Sequence, residues 1–173
     1  MFKEAILIGN SQSDWLDISV SNPIDTITLE LNDSSENLVN FIHKHSGKLL
    51  VGYITYEYGL KQMNLPINSF KGIPAVYFCA FDSSEKLSSS VKISIPKWEA
   101  FLPTISKQTY RTNFKHIKNH ILSGNFYQIN YTHLLKSVAD APAKDLFYSF
   151  RERNQVGYCA FFETEDWAIH SLS

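Results

Sequence analysis

The stretch SKQTYRTNFKHIKNHILSGNFYQINYTHLL, residues Ser106–Leu135, contains the clearest helical pattern in the sequence, followed by a strand-like run. In its first half, large apolar residues recur every three or four positions and end at a glycine (Tyr110, Phe114, Ile117, Ile121, Gly124). This spacing predicts a helix over Ser106–Ser123 with one apolar stripe. The second half, which is rich in aromatic and aliphatic residues, predicts a strand over Phe126–Leu135.

The residues before this stretch predict mostly strands. Five runs rich in β-branched and aromatic residues are each bounded by Gly, Pro, Asn or Ser: EAILIG (4–9), DTITLELN (25–32), KLLVGYITYEYG (48–59), AVYFCAFD (75–82) and SVKISIP (90–96). One helix interrupts them, with Asp33 as its predicted cap and Gly47 at its end.

After the opening stretch, the pattern predicts a helix over Lys144–Arg153 and then two strands, GYCAFFE (157–163) and DWAIHSLS (166–173), joined in a hairpin by a tight turn at 164–166. There are few βαβ units, so the order indicates an α+β fold built mainly from antiparallel sheets. The change of pattern near Pro103 predicts a strand-rich region over residues 1–103 and a second domain that begins at residue 104.

Composition excludes several classes of function. The chain has 173 residues, 44% of them hydrophobic, and a formal net charge of -1, so no global charge attracts nucleic acid or a membrane surface. No apolar run is long enough to span a bilayer. Cys79 and Cys159 lie in apolar runs, which indicates buried free thiols and a cytoplasmic protein.

Catalytic motifs with nucleophiles, phosphate loops or paired CxxC thiols are absent from the sequence. His116 and His120 are four residues apart on the predicted long helix, a spacing that suits one metal ion, but both lie away from the apolar stripe and are interpreted as solvated. Glu163, Glu165 and Asp166 cluster at the predicted turn, which favours solvated turn charges over an acid–base pair.

Alternation along the predicted strand places three polar residues on one face: Gln128, Asn130 and Thr132. Two interpretations follow from the residues alone. Either this polar row faces water, or it faces a cavity in which neutral amides and a hydroxyl orient a polar substrate. The pattern by itself does not decide between them.

The run YRTNFKHIKNHILSGNFYQINYT (110–132) resembles the segment that opens the catalytic domain of chorismate-utilising enzymes, in particular component I of anthranilate synthase and of aminodeoxychorismate synthase. That segment has a tyrosine, a helix ending in Ile-x-x-Gly, a polar residue, an aromatic pair and Gln-Val-Asn. Asn125 stands where aspartate is usual. VGYITYEYG (51–59), IPAVYFCAFD (73–82) and NQVGYCAFFETEDWAIHSLS (154–173) resemble further segments of the family, in the same order.

The resemblance implies the N-terminal part of an anthranilate synthase component I-like fold, with chorismate as substrate and with Gln128, Asn130 and Thr132 as substrate-binding residues. Relatives that add water carry lysine at the position of Gln128, and a lysine with a lowered pKa can act as a base. Glutamine cannot, so the resemblance implies amination by ammonia from a glutamine amidotransferase partner. It also implies Mg²⁺, with ligands and catalytic residues beyond Ser173, so the chain alone is expected to be inactive.

Between the two aminating families, the sequence favours aminodeoxychorismate synthase, which belongs to the folate branch. The Asn-Pro-x-Pro-Tyr segment that helps anthranilate synthases to hold tryptophan is here Asn154-Gln155-Val156-Gly157-Tyr158, without either φ-restricting proline. Anthranilate synthase component I is the alternative. A non-catalytic, β-rich module that binds a partner is a third.

Overall fold

The computed structural model describes residues 1–9, 17–67, 72–87, 96–154 and 156–173. Its elements, in chain order, are β1 (Phe2–Gly9), β2 (Ile18–Val20), β3 (Asp25–Leu29), α1 (Ser35–Lys44), β4 (Leu49–Ile54), α2 (Tyr56–Gln62), β5 (Val76–Phe81), β6 (Glu85–Lys86), β7 (Leu102–Pro103), α3 (Lys107–Leu122), β8 (Leu135–Lys136), α4 (Ala143–Arg153), β9 (Tyr158–Thr164) and β10 (Ala168–Leu172). All strand pairs among these elements are antiparallel, which confirms the predicted α+β class.

The chain forms two compact units. The first combines Met1–Ser94 with Ala143–Ser173, and the second comprises Ile95–Pro142. The first unit contains a five-stranded sheet, in the order β10-β9-β1-β2-β6, and a three-stranded sheet, in the order β3-β5-β4. The predicted boundary between residues 103 and 104 concerns where the catalytic domain begins, and it stays a prediction.

The two sheets of the first unit pack face to face, and helices cover their outer faces. The contact between the sheets buries Ala5 and Phe162 from the larger sheet and Cys79 and Phe81 from the smaller one. On the other side of the larger sheet, a second cluster buries Phe147 of α4. Helices α1 and α2 pack against the smaller sheet through a third cluster (Leu29, Leu38, Tyr58, Ala75, Val76). Successive residues of a strand point to opposite faces of its sheet, so strands with runs of apolar residues bury side chains on both faces.

Strand β1 has both faces buried. Ala5 and Leu7 pack toward the smaller sheet, whereas Ile6 and Ile8 pack toward α4. A register shift between Phe2 and Glu4 in the pairing with β9 turns Phe2 to the same side as Ala5. This explains why the first strand reads as a nearly continuous apolar run.

Most predicted elements are confirmed. The predicted helix over Ser106–Ser123 is α3, with Ser106 and Ser123 as its caps and Gly124 at φ +75° just beyond. The hairpin turn is also confirmed, because the Thr164 hydroxyl accepts hydrogen bonds from the backbone N–H groups of Asp166 and Trp167. Cys79 and Cys159 are buried free thiols, as predicted.

Two predictions in the first half needed correction. The run at 48–59 is a strand only as far as Ile54, because the Thr55 side chain accepts a hydrogen bond from the Tyr58 N–H and caps helix α2. Helix α1 is capped by Ser34 rather than by Asp33, whose carboxylate instead accepts from the Glu30 N–H in the preceding turn. The predicted strand at 90–96 lies outside the described residues, except for Pro96.

The predicted strand over Phe126–Leu135 was wrong for all but its last residue. Only Leu135–Lys136 forms a strand, paired with Leu102–Pro103. A strand needs a neighbouring chain for its backbone hydrogen bonds. Among the described residues that neighbour is the segment around β7, and its bonds reach back along the chain only to the Leu134 carbonyl, which accepts from the Thr104 N–H. No helix within the described ranges has the length and apolarity needed to cross a membrane.

Candidate functional site

Helix α3 begins where a side chain replaces the missing backbone partners of its first turn. The Ser106 hydroxyl accepts a hydrogen bond of 3.0 Å from the Thr109 N–H and caps the first turn of the helix. None of its residues is buried in the described structure, and the apolar stripe stays partly open, with Phe114 50% exposed. Within this stripe, Tyr110 contacts the segment that follows the helix.

The segment after α3 is joined to the end of the helix. The positive φ of Gly124 reverses the chain, and the Asn125 N–H donates to the His120 carbonyl at 3.0 Å. The Asn125 side-chain amide lies 2.7 Å from His120 Nδ1, and the Phe126 ring stacks on the His120 ring at 5.9 Å. The Asn125 amide donates to Nδ1 in the His120 tautomer that carries its hydrogen on Nε2.

The same segment contacts α3 a second time, nearer the start of the helix. The Asn113 amide donates to the Tyr131 hydroxyl at 2.8 Å, and the Tyr131 ring stacks on Tyr110 with centroids 5.2 Å apart. His133 meets the edge of Tyr110 at 5.6 Å. These contacts were not predicted from the sequence. The signal that could have shown them is the aromatic residues at 110, 126 and 131, which can meet if the chain folds back along the helix.

The residues predicted to bind substrate lie on the free part of this segment. Gln128, Asn130 and Thr132 are all exposed, and their side chains form no hydrogen bond with another described residue. Neighbouring Tyr127 is 95% exposed. The structure places the three residues on one short segment without enclosing them in a cavity of described residues, and their assignment to substrate stays a prediction.

This segment can supply uncharged hydrogen-bonding groups and no acid or base. The Gln128 and Asn130 amides each offer donors and an acceptor, and the Thr132 hydroxyl offers one of each kind. Such groups can orient a polar ligand but cannot remove a proton from it at neutral pH.

The charged clusters noted in the sequence have simpler explanations. At the hairpin turn, Glu165 pairs with the N-terminal ammonium at 3.1 Å and Glu163 pairs with Lys3 at 3.5 Å. Among the residues that the structure describes, no group of three or more His, Cys, Asp or Glu side chains is placed to hold a metal ion. His120 Nδ1 lies 2.7 Å from the Asn125 side-chain amide nitrogen.

The first unit contains a mainly apolar cavity of about 250 Å³ that sequence reasoning did not predict. It is lined by Leu7, Val51, Gly52, Tyr53, Ala160, Phe161, Phe162, Ile169 and Ser171. The Tyr53 hydroxyl donates to the Pro74 carbonyl, and burial raises the pKa of Tyr53 well above its ordinary value. Burial also raises the pKa of nearby Tyr77 to about 12, so both phenols stay protonated at neutral pH and offer no base.

Comparison with known proteins assigns the family. Residues 85–173, slightly more than half of the chain, match the model of the chorismate binding enzyme family. No curated protein and no solved structure gives a significant match to the chain. The match includes α3, the Gln128 segment and the hairpin β9–β10. The chain therefore belongs to the chorismate binding enzymes, a family of proteins that convert chorismate.

Proposed function

We propose that this chain is part of component I of aminodeoxychorismate synthase, an enzyme that aminates chorismate with ammonia. One observation carries the proposal. The exposed segment after α3 presents the neutral amide of Gln128 where water-adding relatives, by the resemblance described above, carry a lysine. In this proposal the side chain of Gln128 decides whether ammonia or water is the nucleophile.

The physical reason lies in the difference between water and ammonia as nucleophiles. Water needs a base to remove its proton, and an amide cannot serve as that base at neutral pH. Ammonia that arrives unprotonated needs only to be positioned. In the proposed reaction it forms a bond to the chorismate ring, the ring hydroxyl leaves, and one water is released for each aminodeoxychorismate formed. Gln128, Asn130 and Thr132 orient the substrate.

The proposal includes a partner, a cofactor and a compartment. A glutamine amidotransferase, as a subunit or as a fused domain, supplies the ammonia, and the reaction takes place in the cytoplasm. We also propose Mg²⁺ as the cofactor of the complete enzyme. Among the residues that the structure describes, no group of side chains fits this ion.

The loop before β9 favours aminodeoxychorismate over anthranilate as the product. It contains Gln155 and Gly157 where anthranilate synthases carry the two φ-restricting prolines of their tryptophan-binding segment. We therefore propose that feedback by tryptophan does not operate through this loop.

Product analysis tests the proposal directly. The protein expressed from its native gene is incubated with chorismate, Mg²⁺ and ammonium at a pH at which ammonia is present, and the products are identified by mass. We expect aminodeoxychorismate without pyruvate. Anthranilate with pyruvate would identify the alternative synthase, and isochorismate would show that Gln128 does not exclude water. No product, even with an amidotransferase, would indicate a non-catalytic binding module.

A further inference from the structure

The four residues Tyr127–Asn130 lie between two points at which the chain is attached to α3. The first attachment is His120 with Asn125 and Phe126, and the second is Asn113 with Tyr131. Between them, no side chain is hydrogen-bonded to a described residue, and no backbone ladder holds the chain. The orientation of this stretch therefore depends on its two ends.

The two attachments bound the path of the chain between them. Five residue steps from Phe126 to Tyr131 span at most about 17 Å, and the seven residue steps of helix from Asn113 to His120 rise about 10 Å. The chain bends at Tyr127 and forms no strand over this stretch. The attachments at its two ends therefore set the direction in which Gln128 and Asn130 leave the helix.

We propose that Asn113 and His120 are positioning residues that set the orientation of Gln128 and Asn130. The catalytic role of this orientation rests on the proposed function, in which Gln128 and Asn130 bind the substrate. The orientation itself follows from the two attachments, whatever the function. Neither Asn113 nor His120 touches the amides directly, and both act through the ends of the segment.

The two attachments differ in chemistry, which makes them separable by mutation. Asn113 makes one hydrogen bond, to the Tyr131 hydroxyl, supported by the stacking of Tyr131 on Tyr110. His120 combines a hydrogen bond from Asn125 with the face of the Phe126 ring. Loss of either attachment frees one end of the stretch, so each variant is expected to disturb Gln128 and Asn130 together.

The helix offers matched controls for both residues. Asn119 and His116 lie on the same helix, both are exposed, and neither side chain forms a hydrogen bond, an ion pair or a ring contact with another described residue. Replacing Asn119 or His116 with alanine changes helix propensity in the same way as replacing Asn113 or His120. Any difference between the members of a pair is therefore due to the attachment.

The test measures the side-chain amide signals of Gln128 and Asn130 by NMR of the ¹⁵N-labelled chain, with circular dichroism as the check on folding. We expect Asn113→Ala and His120→Ala to shift both signals, and Asn119→Ala and His116→Ala to leave them in place. Asn113→Asp is expected to restore the signals, since its carboxylate can accept the Tyr131 hydroxyl hydrogen. Combining Asn113→Ala with Tyr131→Phe should add nothing to either single change. Signals that respond equally to Asn113→Ala and Asn119→Ala would overturn the proposal.

A kinetic arm separates this inference from the proposed function. In the ammonia-dependent reaction of the protein from its native gene, Asn113→Ala is expected to lower kcat about tenfold with little change in KM, because a misplaced positioning group costs rate. Asn113→Asp should recover most of that rate. If Gln128→Ala leaves amination unchanged, the proposed function fails, while the NMR comparison still decides whether the two attachments orient the segment.

Discussion

Gln128 is the residue on which the proposed choice of nucleophile depends. Replacing it with alanine removes a positioning hydrogen bond, a loss of about 1 to 3 kcal/mol when the partner is left unsatisfied. The ammonia-dependent rate is then expected to fall roughly tenfold to a hundredfold. Replacing it with lysine introduces a group that can activate water, so hydroxylated product should appear beside the aminated one. Product masses for Gln128→Ala and Gln128→Lys, with circular dichroism as the folding control, provide the measurement.

If both Gln128 variants aminate chorismate at the unmodified rate, the residue only fills a position on the segment. The assignment of Asn130 and Thr132 to the substrate would fall with it.

Gly52 is the residue at which the backbone of the smaller sheet leaves no room for a side chain. A Cβ built there would lie 2.6 Å from Cγ and 2.7 Å from Cα of Phe78, the residue opposite on β5, and would also meet the Tyr77 carbonyl oxygen. Gly52→Ala is therefore expected to lower the free energy of unfolding by about 1 to 3 kcal/mol, because β4 must move away from β5. Urea denaturation followed by fluorescence measures this change.

Gly59 provides the control for Gly52. It lies in α2, and no atom would lie within 4 Å of an added Cβ. Gly59→Ala is expected to raise the free energy of unfolding by about 0.5 to 1 kcal/mol through helix propensity. Equal effects at the two glycines would show that the close approach of β5 is not what requires Gly52.

At the scale of elements, Asp25 connects β3 to the end of α1. Its carboxylate accepts hydrogen bonds from Lys44 Nζ at 2.7 Å and from the His45 ring at 2.8 Å. The pKa of Asp25 is lowered from 3.8 to about 2. The largest cause is the hydrogen bond from Lys44, followed by those from His45 and from the Thr26 N–H. A carboxyl group with a lowered pKa stabilises the folded state above its ordinary pKa, and this contribution is lost as pH falls from about 4 to about 2. As the pH is lowered from about 4 to about 2, the midpoint of urea denaturation is expected to fall less steeply for Asp25→Asn than for the unmodified chain.

His170 connects β10 to α4, and its surroundings disfavour the charged form of the side chain. Its ring lies among Phe147, Phe150 and Phe161, with centroids 5.4 to 6.1 Å away. Burial lowers the pKa of His170 below its ordinary value of 6.5. As the pH falls, the unfolded chain therefore binds a proton at His170 at a higher pH than the folded chain does. The stability that is present above about pH 6.5 is lost as the pH falls through the lowered pKa of the folded state. Thermal melting between pH 7.5 and 5 should show this loss, and His170→Phe should reduce it. An unchanged slope in that variant would contradict the assignment.

At the scale of the whole molecule, the larger sheet joins the two ends of the chain. Strand β1 pairs along its length with β9, and β9 pairs with β10, which forms one edge of the sheet. A chain that ends at residue 142 therefore loses β9, β10 and α4, and it exposes Ile6 and Ile8, which are buried against them. We expect this shortened chain to lose cooperative unfolding, as measured by far-UV circular dichroism on heating.

A chain that omits the second unit tests the same point from the other side. Residues 1–94 joined to 143–173 by a flexible Gly/Ser linker keep every strand of both larger sheets. This chain is expected to melt cooperatively. If it fails to fold while the chain ending at residue 142 does fold, the sheet that joins the two ends is not the centre of stability.

The sequence by itself determined the elements whose signals are local. Ser106 and Gly124 mark the two ends of α3, because a hydroxyl cap and a residue that tolerates positive φ act on neighbouring backbone groups. The runs of β3, β5, β9 and β10 were predicted for the same reason, since alternation and turn residues act within a few positions. The resemblance of residues 110–132 to chorismate enzymes was likewise readable from the sequence, and the family match supports it.

Only the tertiary structure decided where distant segments pair. Phe126–Leu134 has the composition of a strand, yet among the described residues only Leu134 reaches a neighbouring chain, so contacts with α3 place it instead. The pairing of β1 with β9 joins residues more than 140 positions apart in the sequence, and no local pattern encodes such a partner. A helix cap is satisfied within one turn, whereas a strand depends on a chain that the rest of the fold must bring to it.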